Sequence, residues 1–99
     1  MIHFTRTSSI APGKVAEAMA FAREMSEHLA GAHSQKMQLM IPVGGNPHRL
    51  CWYTAFDTLG EMEKFQAKSL ADPKYLEILG KAATLFIPGS AHDDIWRDI

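Results

Sequence analysis

His3 and Arg6 open the chain in the stretch Met1-Ile2-His3-Phe4-Thr5-Arg6. Between them they offer a group that moves protons and a group that holds anions. An imidazole titrates near neutrality, so a histidine near the centre of a sheet could orient a ligand or accept its proton. The plainer role is a hydrogen-bonded, partly exposed strand residue. The planar fork of arginine can grip a carboxylate or enolate through two N–H groups at once. It serves equally in a structural ion pair. Further along, Trp52 and Tyr53 could line an aromatic pocket and stack on a flat substrate. Large strand aromatics also fill cores and interfaces. Tyr75, at the head of the last helical pattern, poses the same choice.

Other reactive side chains point less far. Cys51 is the single cysteine, and no Cys–His signature surrounds it, so a buried, unreactive thiol is expected. The chain has five histidines, and Glu24 with His28 stands at i,i+4, a spacing that can place two ligands on one helix face. Without an H-E-x-x-H or paired-cysteine motif, no metal site is expected there or at His92-Asp93-Asp94. G-x-G-x-x-G, P-loop and G-x-S-x-G patterns are all missing, and Gly44-Gly45 reads as a turn. A nucleotide-driven reaction is not expected, and neither is a cofactor.

The frame for these residues is small. Ninety-nine residues make one domain, 1–99. Ten Lys and Arg against eleven Asp and Glu, well interspersed, leave no basic face for nucleic acid or an anionic membrane. No apolar run approaches the roughly 18–20 residues of a membrane span. The N-terminus lacks the basic-then-apolar form of a signal peptide. With a lone cysteine that cannot close an internal disulfide, the expected location is the cytoplasm.

Residues 2–9 read as a strand, with Ile2 and Phe4 on one side and His3, Thr5 and Thr7 on the other. Pro12 ends it and suits the first turn of a helix. Residues 13–30 carry Val15, Ala18, Met19, Ala22, Met25 and Leu29 on one helical stripe, flanked by Phe21 and His28, with Gly31 as the expected C-cap. Residues 35–43 and 48–57 read as a hairpin of two strands around the turn cluster Val43-Gly44-Gly45-Asn46-Pro47. Thr58-Leu59-Gly60-Glu61 has the form of a capping box that starts a helix to about residue 70. Asp72-Pro73 begins another, with Leu76, Leu79, Ala83 and Phe86 as its stripe, and residues 91–99 close the chain as a strand. The order β-α-β-β-α-(α)-β predicts a ferredoxin-like α+β fold, with a four-stranded antiparallel sheet and helices on one face. Leu50, Trp52 and Phe56 alternate with Cys51, Tyr53 and Ala55, so the second sheet face also carries apolar residues and calls for a cover.

The stretch Arg6-Thr7-Ser8-Ser9-Ile10-Ala11-Pro12-Gly13-Lys14 resembles the strand-to-helix segment of the dimeric α/β-barrel superfamily, NIPSNAP-like members above all. The segment 56–79 is similar as well, with its aromatic strand end, capped helix and Leu70-Ala71-Asp72-Pro73-Lys74-Tyr75. The resemblance implies a homodimer in which two sheets enclose a barrel and cover one another. It extends to antibiotic-biosynthesis monooxygenases, and so implies a cofactor-independent enzyme acting on a small aromatic, phenolic ligand in a cleft between sheet and helices. There His3 would assist proton removal, Arg6 would steady the anion, and Trp52 would shape the wall. The alternative is a non-catalytic ligand-binding or structural dimer. One departure stands out: aligned on Thr58, the family's Trp-x-aromatic pair falls on Thr54 and Phe56, with Trp52 two residues early.

Overall fold

The computed structural model describes all 99 residues. Its elements are β1 (Ile2–Ser9), α1 (Val15–His33), β2 (Gln38–Met40), β3 (Arg49–Phe56), α2 (Leu59–Leu70), α3 (Pro73–Gly80) and β4 (His92–Arg97), with a 3₁₀ turn at Lys81–Thr84 after α3. The strands form one antiparallel sheet in the order β2-β3-β1-β4, the ferredoxin-like arrangement. The helices lie on one face.

The even-numbered residues of β1 and β3 face those helices. Ile2 pairs with Phe56, Phe4 with Thr54, Arg6 with Trp52 and Ser8 with Leu50. Leu50 is fully buried against Ala18, Phe21, Ala22, Met25 and Leu29 of α1 and Ile78 of α3. A smaller cluster of Ile2, Phe56 and Met62 seals the other end of the sheet. Phe21 therefore sits inside the core and not at the flank of the stripe, whereas Val15 is 42% exposed.

Several boundaries move for local reasons. Ala11 accepts a hydrogen bond from the Lys14 N–H while Gly13 holds φ at +76°, so Ala11–Lys14 is a β-turn with Pro12 at its second position. The positive φ takes Gly13 out of the helix, and α1 starts at Val15. At its other end α1 runs through Gly31 and stops at Ser34, the sole non-glycine residue with positive φ (53°), whose N–H returns to the Leu29 carbonyl. Contacts of His28 and His33 with Asp72 hold that extra turn. The β2 ladder shrinks to Gln38–Met40 because the residues before it bond sideways: the Gln35 amide donates to Thr54 Oγ1 and the Ala55 carbonyl, and Thr54 Oγ1 donates to the Lys36 carbonyl. Beyond Met40, Pro42 has no N–H to give.

Both expected N-caps form, while the C-cap expected at Gly31 lies at Ser34 instead. Thr58 Oγ1 accepts from the Glu61 N–H at 3.1 Å, and Asp72 Oδ1 accepts from the Lys74 N–H at 2.9 Å, with Pro73 in the first turn of α3. β4 is an edge strand whose residues are all exposed, because the helices do not reach over it.

Candidate functional site

On the helix side of the sheet, side chains at matching register form a row: Leu39 of β2, Trp52 of β3, Arg6 of β1 and Asp93 of β4. Above this row the helices leave a cavity of about 470 Å³. Its floor is Phe4, Arg6, Ser8 and Trp52. Phe21, Met25 and Leu29 of α1 form one wall, Tyr75 and Leu79 of α3 another, and Phe86 with the turn that follows forms the rim. Phe21 stands edge-on to both Trp52 (centroids 5.9 Å apart) and Phe86 (5.8 Å), a geometry that fixes an aromatic box.

Arg6 is the charged group of this lining. Its Nε donates to Asp93 Oδ1 at 2.7 Å and its Nη2 to Asp93 Oδ2 at 2.9 Å, a two-pronged pair. Asp93 does not itself line the cavity. The pairing raises the Arg6 pKa and holds the Asp93 carboxyl below its usual range. A guanidinium has five N–H bonds, so Arg6 keeps donors to offer a ligand while its charge is balanced by Asp93.

His3 and Tyr53 lie elsewhere. Odd-numbered residues of β1 point to the face away from the helices, and there His3 stacks on Tyr53. His3 Nδ1 bonds to the Tyr53 hydroxyl, and His3 Nε2 bonds to Asp98 Oδ1 at 2.8 Å. The bond from His3 lowers the Asp98 pKa. An ionised Asp98 can only accept, so Nε2 is the ring nitrogen that donates to it. The expected partnership of His3 and Arg6 in one pocket is thus corrected: the sheet separates them, and a strand's two-residue period puts positions 3 and 6 on opposite faces. Arg6, Trp52 and Tyr75 come together, and His3 and Tyr53 come together. Sequence reading missed both carboxylates. Asp93 and Asp98 become partners only through the register of β1 with β4 and its continuation to the bond from the Asp98 N–H to the Met1 carbonyl.

Cys51 also faces the uncovered side. It is half-buried and not enclosed, and desolvation pushes its thiol pKa up, away from nucleophilic character. Glu24 pairs with Lys81 at 2.7 Å and leaves His28 to other partners. No helix is long and apolar enough to cross a membrane.

No protein-family model and no curated protein matches the chain. Solved structures do. A NIPSNAP domain protein from Burkholderia xenovorans, described as uncharacterised, superposes with a TM-score of 0.85 at 14% identity, over 100% of this chain and 95% of that one. A NIPSNAP family protein of unknown function from Agrobacterium tumefaciens gives 0.82 at 20% identity, over 97% and 86%. The fold is that of the NIPSNAP proteins. A putative antibiotic biosynthesis monooxygenase from Nitrosomonas europaea shares it at a TM-score of 0.76 and 16% identity, over 100% and 99% of the two chains. At such identities the NIPSNAP likeness concerns the backbone. In this chain the aromatic pair expected before α2 is replaced at its first position by Thr54, which is 2% exposed and tied to the Lys36 carbonyl, and Trp52 supplies the cavity's indole.

Proposed function

We propose that this protein binds a flat aromatic molecule bearing a phenol or carbonyl oxygen, in the cavity between sheet and helices, and that it does so as a homodimer. The cavity carries the reading. Its 470 Å³ falls in the range of about 300–1,000 Å³ typical of small-ligand sites, and its aromatic walls surround a single cation. Because Asp93 balances Arg6, the site favours a neutral hydrogen-bond acceptor over a full anion. This refines the phenolic ligand that the resemblance implies, whose anion Arg6 would steady. The dimer is supported by the uncovered sheet face, which carries Tyr53, Cys51 and Ala55 of β3 and, across β1, a Trp96 that is 63% exposed, and by a core of only 12 buried hydrophobic residues. A chain of this size gains stability by burying such a face.

The test is fluorescence titration of a Trp96→Phe variant, in which Trp52 is the remaining indole, with 2-naphthol. Saturable quenching that is lost when Ala82 on the cavity wall is enlarged to Phe is the expected result. No change in Trp52 emission up to the solubility limit of the naphthol would refute the cavity as its site.

A second reading is cofactor-independent oxygenation, favoured by the fold shared with the Nitrosomonas protein. In it an activated CH₂ beside a phenolic ring loses a proton, the carbanion reduces O₂, one oxygen atom becomes a carbonyl and the other leaves as water. The spare N–H donors of Arg6 would stabilise the phenolate oxygen that shares this charge. Oxygen uptake with anthrone as substrate checks it. Loss of uptake in Arg6→Met, with retention in His3→Ala, is expected from their opposite sides of the sheet.

A further inference from the structure

We infer that His28, His33 and Asp72 form a binding site for a divalent transition-metal ion, Zn²⁺ being the best match to its ligands. The three residues are brought together from the last turns of α1 and the junction of α2 with α3. Nε2 of His28 and Nε2 of His33 each stand 2.7 Å from the same oxygen, Asp72 Oδ2. All three ligand atoms lie within 4.8 Å of one another. The side chains are only 17%, 12% and 16% exposed, so the convergence is built into the interior between helices and is not a chance meeting of surface charges.

The donor set and spacing suit an ion. Zn²⁺ holds imidazole nitrogen and carboxylate oxygen at about 2.0–2.2 Å, which places neighbouring ligands of a tetrahedral site about 3.3 Å apart. The two N···O separations, 2.7 Å each, need to widen by about 0.6 Å for an ion to sit among them, within reach of small side-chain rotations. Two imidazoles and one carboxylate form a borderline-soft set that favours Zn²⁺, Fe²⁺, Co²⁺ or Ni²⁺ over Mg²⁺ or Ca²⁺.

The surroundings orient the ligands. Asp72 Oδ1 is occupied as the N-cap of α3, accepting from the Lys74 N–H at 2.9 Å, which leaves Oδ2 for the ion. The His33 ring is held edge-on to Phe65, with centroids 6.2 Å apart, and at right angles to His28. Outer contacts of this kind fix ligand direction. Three protein ligands leave a fourth position open, and His33 also lines a second cavity of about 240 Å³ bordered by Gln35, Glu61 and Lys64, which has room for water or a small ligand. The ion would pin the first turn of α3, whose Tyr75 lines the aromatic cavity.

The experiment is isothermal titration of the full-length, chelator-treated protein with Zn²⁺, beside thermal melts with and without the metal. One ion per chain and a higher melting temperature are expected. Asp72→Asn keeps a good N-cap residue, and His33→Gln keeps the ring's approximate length. Outer-sphere changes alone weaken metal sites about 10–100-fold, so each of these variants should lose at least about 100-fold in affinity, while His92→Gln should lose none. If either variant misfolds, imidazole NMR signals of the unaltered protein decide. Zn²⁺ must shift the His28 and His33 rings and leave His92 in place. Absence of saturable binding, or shifts confined to His3, His48 or His92, would show that the cluster is a hydrogen-bonded clamp only and overturn the inference.

Discussion

Arg6 and Asp93 face each other directly across β1 and β4 and are joined by two charge-assisted hydrogen bonds of 2.7 and 2.9 Å. Arg6 thus enters the cavity as a neutralised donor. This sets a ligand preference: 2-naphthol should bind more tightly than 2-naphthoate to the unaltered protein. Asp93→Asn removes the counter-charge and should strengthen 2-naphthoate by about 10-fold, equivalent to about 1.4 kcal/mol, with little change for 2-naphthol. Arg6→Met should weaken both. Equal naphthoate affinity in Asp93→Asn and the parent would show that the pair does not govern the site.

The same pair has a pH signature. The Asp93 carboxyl is held below its ordinary value by the Arg6 bond, so its contribution to stability is present above the unfolded carboxylate value of about 3.9 and fades as pH falls through the lower folded value. Both side chains are more than a third exposed, 45% and 40%, so solvent screening limits the pair to roughly 0.5 kcal/mol. The melting temperature of Asp93→Asn should trail the parent by a few degrees from pH 7 to about 5, and the gap should close below about pH 4. A gap unchanged at pH 2.5 would assign the loss to something other than this ion pair.

The fold was legible in the sequence because its signals are local. Thr58 and Asp72 cap their helices with their own side chains, and the 3–4 spacing of Ala18, Ala22, Met25 and Leu29 points at Leu50 whatever else surrounds it. The cavity was half legible. Arg6, Trp52 and Tyr75 stood out by type, but their meeting needs the β1–β3 register and the course of α3. The separation of His3 from Arg6 followed from strand parity alone and was open to reading. Asp93, Asp98 and the triad at Asp72 were not, since each joins residues far apart in the chain: His28 and Asp72 are separated by 44 positions.

The uncovered face makes the assembly testable at one position. Thr5 lies at its centre, between Tyr53 and Asp94. On an exposed surface Thr5→Glu should shift stability by no more than about 0.5 kcal/mol. Within a sheet-to-sheet interface it buries an unpaired carboxylate beside another acid, which costs several kcal/mol. Sedimentation velocity should therefore show a dimer for the parent and a folded monomer for Thr5→Glu. A monomeric parent would sink the dimer, and a dimeric variant would move its interface off this face.

The end of α1 offers the sharpest check on backbone conformation. Gly31 is helical, with nothing within 4 Å of where a Cβ would stand, while Ser34 holds φ at +53°. A glycine inside a helix costs about 0.5–1 kcal/mol relative to alanine, so Gly31→Ala should raise stability by that amount. Ser34→Gly should also stabilise, by up to about 1 kcal/mol, since glycine takes the left-handed region without the steric cost of a Cβ. The two effects oppose those of a helix capped at Gly31, where alanine would be strained and the change at Ser34 would be neutral or harmful. At this chain length each kcal/mol moves Tm by about 4–8 °C, well within reach of a thermal melt. A lower Tm for Gly31→Ala would place the left-handed residue at 31 and end α1 one turn earlier. That shorter helix would withdraw His33 from Asp72 and leave the proposed metal site without one of its ligands.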